Sequence, residues 1–197
     1  GYHFDATALN QRLTRHQATS RAGATKRFGG HGLGHGAAME GYSNDDVWKV
    51  TRLHTATHLL HAALRAVLGP HVRQDGSDIT PERLRFDFTF PRKLTDDERQ
   101  RIAALVNQKI AEDLPVRWRV VPYREAIAEG ALAFFKEKYG ADVKVYAVGD
   151  FSKELCGGPH VEHSGQVGGV RILSEKSSAA GIRRIKAVVE NTPKIAT

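Results

Sequence analysis

Residues 43–70, SNDDVWKVTRLHTATHLLHAALRAVLGP, decide how this chain is read. Ser43 and Asp46 have the spacing of a capping box, Asp45 and Asp46 put negative charge at a helix start, and Gly69-Pro70 stops the run. Between these signals Val50, Leu53, Thr57, Leu60, Leu64 and Val67 recur at helical spacing and mark one core-facing stripe. His54, His58, His61 and Arg65 form the adjoining stripe. The pattern predicts a helix with one face in the core and its imidazoles beside a cleft. His61 continues the row but is read as solvated and is not counted as a ligand.

His54 and His58 are four positions apart, so on a helix both imidazoles can aim at one ion. The same spacing returns in CGGPH, between Cys156 and His160. Either pair alone says little, because HxxxH arises by chance in a chain with ten histidines and a lone cysteine is most often a small buried residue. Together they read as two half-sites for one metal. Gly157 and Gly158 are expected to let the backbone fold tightly around the ion without Cβ clashes, and Pro159 to restrain the approach to His160. Three imidazoles and one thiolate suit tetrahedral Zn²⁺, since the set is neither carboxylate-rich nor thiolate-rich enough for an iron-sulfur cluster.

Outward from the helix, Asp75-Gly76 is read as a turn. In RLRFDFTF, Leu84, Phe86, Phe88 and Phe90 alternate with Arg83, Arg85, Asp87 and Thr89, the pattern of a half-buried strand. Thr95 and Glu98 cap a second helix with Ile102, Leu105, Val106 and Ile110 on its apolar face. Residues 116–121 read as a strand, 123–139 as short helices, and VKVYAVG as a strand leading into the CGGPH loop. Two final strands follow, around GVRIL and IRRIKAVV, the second preceded by SSAAG, read as flexible. Alternation in that last strand puts Arg183 beside Ile185, Ala187 and Val189, which calls for an anionic partner, a phosphate or a carboxylate, unless the side chain snorkels out. Arg184 and Lys186 face the other way, toward solvent or nucleic acid. Strands and helices mix without regular βαβ alternation, so the expected fold is α+β with a largely antiparallel sheet.

Residues 4–22 carry a modest helical signal, and Gly29–Gly36 contains five glycines in eight residues, composition typical of a flexible arm. His31 and His35 in that stretch lack a rigid scaffold and are read as adventitious metal binders. The expected division is a basic, glycine-rich arm over 1–42, a folded domain over 43–190 and a tail over 191–197. The 197 residues carry 29 Lys+Arg against 22 Asp+Glu, formally +7, which fits a polyanionic partner such as nucleic acid. One cysteine allows no internal disulfide, so a reducing, cytoplasmic setting is expected, and no stretch nears the length needed to cross a bilayer. The missing initiator Met is read as a processed or excised chain.

Four ordered motifs, HTATHLLHAALRAVLGPHVRQDGS, LRFDF, GDFSKELCGGPH and SSAAGIRRIKAV, resemble the editing domain of alanyl-tRNA synthetases and the free-standing AlaX-type relatives. The resemblance covers roughly residues 47–190. It implies a zinc-containing editing fold and hydrolysis of the ester of tRNA(Ala) mischarged with serine or glycine. It further implies His54, His58, Cys156 and His160 as the metal ligands, Gln74 as a residue of the editing pocket, Thr57 as the reader of the serine hydroxyl and Arg183 as the arginine needed for tRNA-dependent editing. The family usually has Thr where this chain has Pro159, and GPH also occurs in the threonyl-type editing domain, which removes serine from tRNA(Thr). Nothing resembles an aminoacylation core, so the chain is expected to be a trans-editing factor or a piece of a synthetase. A non-catalytic tRNA- or ribosome-binding relative is the other reading, and a zinc peptidase is disfavoured because HTATH lacks the glutamate of HExxH.

Overall fold

The computed structural model describes residues 41–133 and 140–190. The expectations for residues 1–40, for 134–139 and for the tail over 191–197 lie outside them. Helix α1 spans Asn44–Leu68, followed by strands β1 (Gln74–Thr80) and β2 (Arg83–Thr89), helix α2 (Asp96–Ala111), strand β3 (Val116–Pro122) and the short helix α3 (Tyr123–Ala128). Strands β4 (Asp142–Val148), β5 (Ser152–Leu155), β6 (Gly169–Ala179) and β7 (Ile182–Glu190) complete the order. They form a four-stranded sheet, β1-β2-β7-β6, and a three-stranded sheet, β3-β4-β5, antiparallel throughout. The α+β expectation holds.

Both helix starts close as the sequence predicts. Ser43 and Asp46 complete one capping box, Thr95 and Glu98 the other, and the Gly69 N–H caps α1 on the Arg65 carbonyl. Helix α1 nevertheless differs from the one-sided helix expected. Every residue from Val50 to His61 is buried. One side packs on β1, β2, β7 and α2, while the other meets β5 of the smaller sheet. Buried leucines such as Leu53, Leu59, Leu60 and Leu64 each contribute roughly 1.5–3 kcal/mol relative to exposure. Among the described residues no helix is long and apolar enough to cross a membrane.

Strand β2 sends Leu84, Phe86 and Phe88 into the main core, as its alternation requires, but Asp87 on the opposite face is also buried at 2% exposure. Arg184 pairs with it across the β2–β7 ladder, which makes that burial tolerable. Asp75-Gly76 is not a turn. It lies inside β1 at a register shift, and the β1–β2 hairpin turns at Pro81-Glu82. The SSAAG stretch is likewise no flexible loop, since β6 runs through Ala179 and reverses at Gly181, whose φ of 70° suits glycine. Strand β5, four residues long and running directly into the CGGPH loop, has no counterpart in the sequence reading. A second, smaller core of Val121, Ala126, Ala131, Val143, Val145 and Leu155 lies on the side of β3-β4-β5 that faces α3.

Candidate metal centre

Helix α1 supplies His54 and His58, and the loop leaving β5 supplies Cys156 and His160. The Cys156 N–H bonds the Lys144 carbonyl of β4, which ties that loop to the smaller sheet. The four potential ligand atoms lie within 4.8 Å of one another, and the Cys156 Sγ is 3.2 Å from His54 Nε2. A tetrahedral zinc site has ligand–ligand edges of about 3.3–3.8 Å, so modest side-chain adjustment would close the set around an ion. His54 is 1% exposed and His58 4%, which replaces the expected cleft-side row with a buried cluster.

Hydrogen bonds outside the cluster set the tautomers. The Pro159 carbonyl, 3.2 Å from His54 Nδ1, can only accept, so Nδ1 carries the proton and Nε2 turns a lone pair toward Cys156. Thr55 does the same for His160. Its hydroxyl donates to the Thr51 carbonyl and accepts from the Val161 N–H, which leaves a lone pair for the Nδ1–H of His160 at 3.1 Å. His160 Nε2 is then a buried lone pair with no hydrogen-bond partner, as a ligand atom should be before a metal fills it. Tyr146 and His54 stack on the His160 ring at centroid distances of 4.1 and 4.4 Å and hold its plane.

Glu154, 2% exposed, lies behind the cluster. Its Oε2 is 3.6 Å from His58 Nδ1, its Oε1 is 2.9 Å from His61 Nδ1, and Ser152 donates to it. Burial pushes the Glu154 carboxyl up, but His58 and His61 outweigh it and hold it below the ordinary value. Burial also pushes the Cys156 thiol up, yet the neighbouring His54 and His58 outweigh it and hold the thiol well below its usual range. For His58 burial favours the neutral ring, but Glu154 and the Cys156 sulfur together raise its pKa. Two buried anions thus face one another across imidazoles, and a divalent cation between them can replace the proton they would otherwise hold on His58. The donor set and its surroundings fit a metal ion.

His61 is fully buried and bonded to Glu154, so reading it as solvated was incorrect. Gly157 also corrects an expectation. A Cβ there would meet nothing within 4 Å, so its place is not forced by crowding around an ion. Instead it is an exposed gap beside Cys156, while Gly158 is buried.

A family model described as the Threonyl and Alanyl tRNA synthetase second additional domain matches residues 143–186. The chain is 47% identical to alanine–tRNA ligase of Treponema pallidum over 98% of its own length and 50% identical to that of Treponema denticola over 93%. It belongs to the alanyl-tRNA synthetase-related editing domains. Alanine–tRNA ligase of Thermus thermophilus is 57% identical over 70% of the chain. The chain spans about 30% of the length of the Treponema ligases and 16% of the Thermus one.

In this editing-domain relative the remaining residues singled out by sequence lie on three elements. Thr57 sits on α1 between the two histidines, 4% exposed, with its hydroxyl donated to the Leu53 carbonyl at 2.8 Å. Gln74 opens β1, half-buried, its amide nitrogen donating to Ser77. Arg183 has the anionic partner its alternation demanded, the Glu175 carboxylate on β6, and is only 12% exposed. Arg184 forks onto Asp87 through Nε and Nη2, each at 2.7 Å, and Lys186 is exposed. Sequence reasoning missed Glu154, Thr55 and Tyr146. Glu154 could have been found from its place two residues before Cys156, on the same side of an extended segment.

Proposed function

We propose that this chain is an aminoacyl-tRNA deacylase of the cytoplasm that hydrolyses mischarged Ser-tRNA(Ala), and Gly-tRNA(Ala) with it, using Zn²⁺ held by His54, His58, Cys156 and His160. The observation that carries the proposal is the buried convergence of those four ligand atoms in a chain related throughout to alanine–tRNA ligases. The chemical need is plain: a pocket for alanine cannot exclude the smaller glycine and rejects a single added hydroxyl poorly, so a second hydrolytic sieve is required.

When bound, the ion supplies a Lewis-acidic point that orients the amino group or ribose end of the esterified substrate. The chain's own groups do the rest. Thr57 has already committed its proton to Leu53, so toward a substrate it can only accept, and a seryl hydroxyl is the donor that complements it. Gln74, whose amide nitrogen is fixed on Ser77, offers its amide oxygen to orient the attacking water, with backbone groups completing the hold. The open space at Gly157 and the buried turn at Gly158 give the ester a way to the cluster. Arg183, Arg184 and Lys186 are assigned to tRNA(Ala), the first two acting with their carboxylate partners in place. The contact that Pro159 makes with His54 is a main-chain one, so having proline where the alanyl family usually has threonine does not alter the His54 tautomer.

The test is deacylation of serine-, glycine- and alanine-charged tRNA(Ala), with and without chelator, and of Ser-tRNA(Thr) alongside. Release of serine from tRNA(Ala), sparing of alanine, and loss of both zinc and activity in His54→Ala are expected. If His54→Ala lacks zinc but deacylates normally, the metal role is wrong, and a preference for Ser-tRNA(Thr) would transfer the specificity.

A further inference from the structure

The metal cluster is not the end of the ring contacts around it. On β4, Tyr146 stacks against His160 at 4.1 Å, and Trp118 of β3 is its direct cross-strand partner, on the same face of the sheet. Lys144 lies two residues along that face, with its ammonium 4.0 Å from the Trp118 ring centroid and 4.7 Å from that of Tyr146. Tyr146 is 5% exposed, whereas Trp118 and Val120 are 58% exposed. The row therefore begins in solvent and ends on a metal-site imidazole. An indole left so open on a sheet face gains nothing from the core, and β3 could have carried a polar residue there at no loss of packing.

We infer that Trp118, Lys144 and Tyr146 form a stacking platform for an unpaired base of the tRNA 3′ strand, next to the ester that the metal centre would hold. The inference rests on the deacylase reading for its substrate but not for its geometry. Two features favour a nucleic acid over an apolar partner. The ammonium set against the ring is a counter-charge for the phosphate that accompanies a stacked base, and Arg117, on the opposite face of β3 at the strand's exposed edge with no carboxylate partner among the described residues, adds only longer-range positive charge. Stacking on an aromatic face is also tolerant of base identity, so the platform would position the strand and leave amino-acid choice to the pocket.

The experiment uses the full chain carrying Trp48→Phe, which leaves Trp118 as the only tryptophan. Titration with the single-stranded RNA tetranucleotide ACCA is expected to quench Trp118 emission, and a sugar-phosphate tetramer without bases is expected not to. In steady-state deacylation Trp118→Ala should raise KM on the order of ten-fold with kcat and zinc content unchanged, as one lost stacked base implies, while Trp118→Phe keeps KM close to the parent value. Lys144→Ala should reduce the salt dependence of KM by about one ion. Quenching without any turnover would keep the platform and overturn the deacylase reading. Turnover with an unquenched Trp118, or with an unchanged KM in Trp118→Ala, would overturn the platform and mark the patch as a contact for protein.

Discussion

The two sheets use positive charge in opposite ways. In the four-stranded sheet Arg183 and Arg184 are directed onto Glu175 and Asp87, carboxylates only 2% exposed, so much of the charge on β7 is neutralised inside the fold. In the three-stranded sheet Lys144 is set against aromatic rings and Arg117 stands exposed. A formal charge of +7 therefore says little about where a polyanion lands. The smaller sheet, with the smaller core, sets a lysine against aromatic rings instead, and it also carries the thiolate loop.

This contrast can be broken by experiment. Asp87→Ala leaves the Arg184 guanidinium, and Arg85 at 3.8 Å, without their shared carboxylate in the larger sheet, and a loss of about 3 kcal/mol is expected from urea denaturation. A change below half that value would mean the charge is not neutralised there after all. On the smaller sheet Glu154→Gln removes the anion behind His58 and His61, and metal affinity measured by chelator competition should fall about 10- to 100-fold. An unchanged affinity would deny Glu154 any part in orienting His58. The smallest effect belongs to neither sheet: Thr95→Ala should cost about 1 kcal/mol by opening the α2 cap. Glu98 in that cap, hydrogen-bonded by Arg92 and the Thr95 N–H, has its pKa lowered from 4.5 to about 2. Because the folded value is depressed, its stabilising contribution is whole above about pH 4.5 and is lost as the pH falls toward 2, so an acid titration of Arg92→Ala, which removes the largest cause, should show a weaker dependence in that window.

Much of this molecule is legible in its amino-acid sequence. Helix α1, its caps, the Phe86 and Phe88 face of β2 and the convergence of two HxxxH-type spacings follow from local periodicity and ligand chemistry. What escaped depends on long-range partners. Asp87 looks like a surface residue until Arg184, 97 positions away, is brought across the ladder, and His61 looks solvated until Glu154, 93 positions away, is placed against it. The Asp75-Gly76 pair carries a turn signal, but pairing with β2 absorbs it as an irregularity within a strand. The two-sided burial of α1 was invisible because one of its faces packs imidazoles rather than aliphatic side chains, and an apolar pattern does not register them.

The ligand pairs also stand far apart along the chain, with 102 positions between His54 and Cys156. An ion gripping both would act as a covalent cross-link does, restricting the unfolded chain as well as shaping the folded one. Closing a loop of that length carries an entropic cost of about 4 kcal/mol, which the folded protein has already met by packing α1 against β5. The cation would thus be a rivet between two separately cored layers, and a protein deprived of it would be weakened first at that seam.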